Sequence, residues 1–218
     1  MVSRMNTDKI SDLGTVRDMY DAEAEGYSTM MDAEIKNPLY SDTLERLQTR
    51  IASLPGMIID APCGSGQMLS MYHEKFDQNR ALLGVDLSPQ MVEIAGRHLG
   101  AAAQIMVGDM RRLDAVSSDS AAAVISYFAF HHLDADGVKQ SLLEWHRVLI
   151  DGGQLVIGAW EGEGALDYGD SSDLVALKHS AGELERMMQE SGFVITRKAI
   201  VRDEELMMDA VYIECSCE

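Results

Sequence analysis

The sequence predicts a doubly wound α/β sheet, with parallel strands joined by helices that cover both faces. Two observations predict it. From residue 41 onward, short apolar runs alternate with segments whose apolar residues recur every three or four positions. The run 122–130 is apolar at almost every position, as a central parallel strand buried on both faces must be. Such alternation calls for right-handed crossovers between parallel strands.

The elements follow in order. Leu44, Leu47, Ile51 and Leu54 form one apolar stripe of a helix that must stop before Pro55-Gly56. Residues 57–60 form a strand, and Met68, Leu69 and Tyr72 mark a helix that starts just after Gly64-Ser65-Gly66. Residues 82–86 form the second strand. Ser88 then caps a helix with Pro89 in its first turn, where the missing N–H costs nothing; Met91, Val92, Ala95 and Leu99 give its apolar face and Gly100 ends it. Strands are expected at 104–108, 122–130 and 154–159, with a helix at 136–149 ending before the turn Asp151-Gly152-Gly153. The capping box Ser180-Ala181-Gly182-Glu183 opens a helix that Gly192 terminates, and strands at 193–200 and 210–215 complete the chain. Residues 1–40 fall outside the alternation, so the chain divides into an N-terminal segment, 1–40, and a domain, 41–218.

Composition narrows the function classes. A chain of 218 residues, 46% hydrophobic and 25% charged, suits one domain with a full core. Its 18 Lys+Arg against 36 Asp+Glu give a formal net charge of −18, which repels phosphate backbones and anionic lipid, so neither nucleic acid nor a membrane surface is expected as a partner. The three cysteines, Cys63, Cys215 and Cys217, have no CxxC spacing and are too few for a disulfide scaffold. The first ten residues lack an apolar h-region and no run approaches a membrane span. A soluble, cytoplasmic protein is the expectation; the oligomeric state is not legible.

In a doubly wound sheet the ligand lies beyond the carboxyl ends of the strands, so the residues there carry the chemistry. The first strand runs into Asp60-Ala61-Pro62-Cys63-Gly64-Ser65-Gly66, a turn whose glycines allow backbone to approach a ligand closely. The second ends in Asp86, whose carboxylate can accept both vicinal hydroxyls of a ribose. The third ends in Gly108-Asp109-Met110, where Asp109 could accept from an adenine amine. The fourth leads through Tyr127 to Phe130-His131-His132-Leu133.

This ordered set resembles the class I S-adenosylmethionine-dependent methyltransferases, specifically the small-molecule group. The resemblance runs from Ile58 to Gly153 and includes Leu83-Gly84-Val85-Asp86-Leu87-Ser88 and the helix Leu142-Leu143-Glu144-Trp145-His146-Arg147-Val148-Leu149 before the glycine turn. It implies a Rossmann-like, mostly parallel seven-stranded sheet with the last strand antiparallel, an N-terminal helical lid, and S-adenosylmethionine as cofactor. The cofactor would be held by Tyr20, Tyr27, Asp60, Ala61, Gly64, Gly66, Asp86, Leu87, Met91, Gly108, Asp109, Met110 and Tyr127. The reaction implied is in-line displacement at the sulfonium methyl by a small-molecule acceptor. One departure is Pro62, where the family commonly has glycine; proline removes an N–H, so the turn must use another donor.

His131 and His132 are the candidates for a general base, since a neutral imidazole at a strand end suits that role. The same pair also reads as a structural segment shaping the cofactor site. No metal is expected, because adjacent histidines point in different directions and no second ligand cluster matches them. Cys63 reads as a small side chain under the cofactor, Cys215-Ser216-Cys217 as a fraying terminus, and most of the 15 methionines as core. Two alternatives stay open: a nicotinamide-dependent reductase, against which the third glycine of GxGxxG is replaced by Leu69, and a catalytically silent cofactor-binding or regulatory protein. Finally, residues 18–35, 161–173 and 203–209 are rich in acids and hold no Lys or Arg. If they rim the acceptor side, a neutral or amine-bearing acceptor is favoured; the competing reading is that they are solvated loops of an acidic protein.

Overall fold

A computed structural model describes residues 10–166, 174–204 and 206–218. The expectation about the first ten residues, and Asp167, Asp170, Asp173 and Glu205 of the acidic segments, fall in whole or in large part outside them. Two helices come first, α1 (Leu13–Glu34) and α2 (Pro38–Ile51). Asp12 caps α1 by accepting from the N–H groups of Gly14 and Thr15, and Asn37 caps α2, whose first residue is Pro38. The helical break therefore lies ahead of residue 40, and α2 runs across the expected division into the domain. Then follow β1 (Met57–Asp60), α3 (Gln67–Lys75), β2 (Leu82–Asp86), α4 (Pro89–Leu99), β3 (Gln104–Val107) and β4 (Ala121–Tyr127). The remainder is α5 (Ala135–Val148), β5 (Leu149–Trp160), β6 (Ala165–Leu166), β7 (Ala176–Leu177), α6 (Ala181–Glu190), β8 (Phe193–Asp203) and β9 (Met208–Cys217).

The main sheet has seven strands in the order β3-β2-β1-β4-β5-β9-β8. The pairs β3-β2, β2-β1, β1-β4 and β4-β5 are parallel, and β9 is antiparallel to both of its neighbours. The last strand in the chain is thus the antiparallel one, as expected. The order moves outward from β1 to β3 and then restarts on the other side at β4, which places the reversal between β1 and β4. Period-two alternation sends neighbouring residues to opposite faces. Ile58 and Ile125 pack with Leu44, Leu47, Leu69 and Tyr72 from α2 and α3, while Ile59 and Val124 pack with Leu142, Trp145, Leu184 and Met188 from α5 and α6.

Three expectations need correction, and one feature is new. The strand expected over 122–130 ends at Tyr127: Phe128 takes φ 51° and Phe130–His132 form a 3₁₀ turn. The apolar run continues because Phe130 is buried, its ring stacked on Trp145 at 5.5 Å, and burial alone does not distinguish a strand from a turn. The glycine turn at 152–153 lies inside β5, which starts directly from α5 at Leu149 and shifts register against β4. The Cys215–Cys217 segment does not fray; both thiols are buried in β9, paired with Leu155 and Phe193. The two-residue strands β6 and β7 form a separate ribbon that short Ala-Leu pairs do not announce.

Candidate active site

At the reversal between β1 and β4, one cleft opens beyond the strand ends. Its floor is the turn after β1. Gly64 and Gly66 have φ of 51° and 90°, the left-handed region that glycine enters freely. A Cβ on Gly66 would stand 3.0 Å from Leu99 Cδ1 and 3.1 Å from Ala95 Cβ, so this position also sets how closely α3 packs on α4. The Ala61–Pro62 peptide is cis, and the turn's donors are Cys63 N–H to Val85 O and Gly64 N–H to Asp86 Oδ2, at 2.9 and 2.8 Å.

The carboxylates differ sharply in environment. Asp60 is buried, and burial with the nearby Asp86 charge holds it well above the usual carboxylate range. Asp86 is buried too and is pushed up to about 6 by that burial, opposed by N–H groups of Ser88 and Gly64 that donate to it. Each of its oxygens takes one backbone N–H and keeps a lone pair for a ligand hydroxyl. Asp109 is half-exposed and accepts the Arg111 guanidinium through both oxygens, at 2.7 to 3.1 Å. The acceptor expected to meet adenine therefore already carries a cation on part of its lone-pair capacity.

Helix α1 covers one side of the cleft. Tyr20 and Tyr27 stand edge to face at 5.8 Å and pack on Ala24, Met91 and Ile94. Burial and the Asp86 and Asp60 charges raise the Tyr27 phenol, which fixes it as a neutral ring beside those acids. Polar contacts dock the helix: Ser88 Oγ donates to Asp21 Oδ1 at 2.5 Å, Gln90 N–H donates to the same oxygen at 3.1 Å, and Gln67 Nε2 donates to Asp32 at 3.0 Å. Asp21 thus supplies a second cap to α4, a role without local signal in the sequence. Arg97 bridges to Glu25 and Arg17 to Asp18, both at 2.7 Å, so several acids of the 18–35 segment are already neutralised.

The two adjacent histidines part company. His132 lines the cleft; its Nε2 lies 3.0 Å from the Tyr20 hydroxyl, and burial pushes it down to about 4. His131 does not line the cleft. It is buried with its ring 3.9 Å from that of His132, and burial followed by the His132 and His179 charges keeps it well below the ordinary imidazole range. Ala61 and Gly66 also lie outside the lining, Ala61 donating its N–H to Ile125 O beneath it. The remaining expected residues, Tyr20, Tyr27, Asp60, Gly64, Asp86, Leu87, Met91, Gly108, Asp109, Met110 and Tyr127, all face it. Phe128 and Met31 line it too, and sequence reasoning missed Val16 and Gln67, which do so as well. Among the described residues no group of three or more His, Cys, Asp or Glu could hold a metal ion, and no helix is long and apolar enough to cross a membrane.

Residues 58–153 match the methyltransferase-domain family. This is a class I S-adenosylmethionine-dependent methyltransferase fold. The methyltransferase fold is shared with a Burkholderia thailandensis 1,6-didemethyltoxoflavin-N1-methyltransferase solved with S-adenosylhomocysteine, at TM-score 0.72 and 16% identity over 94% of this chain and 88% of that one. A Streptomyces coelicolor geranyl diphosphate C-methyltransferase gives TM-score 0.64 and 20% identity over 83% and 80% of the two chains. An S-adenosylmethionine-dependent methyltransferase from Mesorhizobium loti gives 0.63 and 19% over 79% and 96%. No curated protein matches the chain by sequence. The residues of the cleft fit the nucleoside of S-adenosylmethionine: a left-handed glycine turn beside the binding space, and a buried carboxylate with lone pairs open to vicinal hydroxyls.

Proposed function

We propose that this protein is an enzyme that transfers the methyl group of S-adenosylmethionine to a small-molecule acceptor. One observation carries the reading: Asp60, Asp86 and Asp109, each at the end of a different strand or just beyond it, line a single cleft at the point where strand order reverses. Asp86 would accept the ribose hydroxyls, Asp109 the adenine amine, and Leu87, Met91 and Met110 would form the apolar walls against the base. Tyr20, Tyr27 and Tyr127 would pack against the cofactor from the cleft walls, with Gly64 and Gly108 leaving room for backbone approach. Ala61 and Gly66 act from beneath, by holding the turn. When bound, S-adenosylmethionine would supply a sulfonium methyl for in-line attack by the acceptor's lone pair, with S-adenosylhomocysteine as the leaving group.

The chain's contribution is positioning, which is worth on the order of 7–11 kcal/mol of barrier in well-oriented systems. His132 is neutral at physiological pH and can take a proton only weakly, so an acceptor that arrives deprotonated suits it best. His131, away from the cleft, supports the turn that presents His132. A nicotinamide cofactor is disfavoured by Leu69, which is fully buried within α3 where a dinucleotide turn needs a third glycine. The net charge of −18 disfavours nucleic acid and anionic membrane as partners, in keeping with a soluble, cytoplasmic protein, and the docked α1 supports a lid role for the N-terminal segment. The experiment is a labelled-methyl screen across small neutral and amine-bearing metabolites, paired with titration of S-adenosylhomocysteine. Binding with transfer to any acceptor supports the proposal; binding without transfer to any acceptor leaves the silent-binder alternative in its place.

A further inference from the structure

We propose that the acceptor carries a cationic nitrogen group that seats on an aromatic wall made by Phe128, Trp160 and Tyr212, which rests on the methyl-transfer reading above. Phe128 joins the two halves of the site: it lines the cleft, and its ring centroid is 4.6 Å from Trp160 and 6.0 Å from Tyr212. Phe128 lies just past β4, Trp160 is the last residue of β5, and Tyr212 lies mid-way along the antiparallel β9, opposite Gly158. Tyr127 backs the wall, 5.9 Å from Tyr212 and 5.8 Å from Tyr40. Gly158 makes the arrangement possible. A Cβ there would lie 2.2 Å from Tyr127 Cδ1 and 3.2 Å from Tyr212 Cε1, so both rings lie across bare backbone of β5.

The cluster is not ordinary core. Core rings such as Phe130 and Trp145 are fully buried, whereas Phe128, which lines the cleft, and Trp160 and Tyr212, which adjoin it, remain partly open. Phe128 also holds a left-handed backbone, uncommon for a bulky residue, with its N–H donated to Gly158 O at 2.7 Å. The charges beside the wall favour a cation. Glu34 accepts from the Tyr40 hydroxyl at 3.1 Å, and Glu34 and Asp203 both act, after burial, to raise the Tyr212 phenol. The neighbouring cations, Arg46 and Arg197, are turned to Glu214 at 2.7 and 3.8 Å. With the two guanidiniums engaged by Glu214, the carboxylates of Glu34 and Asp203 are left to attract an ammonium to the rings. A cationic nitrogen has no lone pair, so the group on the wall is distinct from the atom that is methylated.

The test uses choline and its neutral isostere 3,3-dimethylbutan-1-ol, titrated into the full-length protein saturated with S-adenosylhomocysteine and followed by tryptophan fluorescence. Trp160 lies at the proposed site, and Trp145, the other tryptophan, is buried against Phe130. Choline is expected to bind roughly tenfold more tightly than the alcohol. Trp160→Leu should abolish that preference and Trp160→Phe should retain part of it, with melting temperatures showing that both variants fold. Equal or tighter binding of the alcohol, a preference that survives Trp160→Leu, or binding of neither probe overturns the proposal. If S-adenosylhomocysteine itself fails to bind, the methyl-transfer reading falls instead.

Discussion

The two halves of the cleft are built differently. On the cofactor side, consecutive residues at strand ends do the work: Asp60 to Gly66 form one turn, and Asp86 to Ser88 close the next, tied together by Gly64 N–H on Asp86. On the proposed acceptor side, rings from Tyr40, Trp160 and Tyr212 converge on Tyr127 and Phe128, which line the cleft, so that four separate segments of the chain meet there. Local construction makes a rigid and readable site. Convergence makes one that changes with every loop it draws on, which suits the half that must distinguish one acceptor from another.

This contrast can be broken at Gly66, where the largest effect is expected. Gly66→Ala forces a Cβ into Ala95 and Leu99 at φ 90°, and strain with overpacking should cost about 2–4 kcal/mol. Thermal denaturation should show the loss, and S-adenosylhomocysteine affinity should fall with it. Next comes Asp86→Ala, which removes the charged acceptor for two hydroxyls and should weaken S-adenosylhomocysteine by about 1.5–3 kcal/mol in calorimetric titration.

Acid should do the same reversibly. Asp86 titrates at about 6 in the folded protein, against 3.8 as its ordinary value. Affinity for S-adenosylhomocysteine should hold above that pH and fall roughly tenfold by pH 5, as protonation takes away an acceptor oxygen. Stability of the free protein moves the other way. A raised carboxyl contributes fully below about 3.8, and its contribution is lost as pH rises through about 6, so the free protein carries the cost of a buried charge at neutral pH. The smallest effect on cofactor binding should come from Gly158→Ala, which displaces Tyr127 from β5. Because Tyr127 also lines the cofactor cleft, binding of S-adenosylhomocysteine should weaken, but by less than in Asp86→Ala, while the choline preference disappears.

How legible each half was follows from the same contrast. The bounds of α4 came directly from Ser88, Pro89 and Gly100, because capping chemistry is local: Ser88 Oγ accepts from Met91 N–H at 3.1 Å, as its position predicts. Asp60, Asp86 and Gly64 are legible as cleft-lining residues because strand ends identify them. His131 and His132 could not be separated, since which of two adjacent side chains faces a cleft depends on the turn they share. The aromatic wall was missed because Trp160 and Tyr212 meet only through the pairing of β5 with β9. Its one advance signal was Gly158, a glycine inside a strand, which marks a close approach by something else. The acids of residues 18–35 read as a rim, yet Asp21, Asp32 and Glu25 serve to dock α1 onto α4 and α3.

The central claim is that the strand-end cleft is a methyl donor's site, and titration of the wild-type protein with S-adenosylhomocysteine against NADH tests it most directly. One molecule of S-adenosylhomocysteine should bind per chain and NADH should give no heat, with hydrogen exchange slowed in residues 15–35 as Tyr20 and Tyr27 close over the ligand. Heat from NADH and none from S-adenosylhomocysteine would contradict the account.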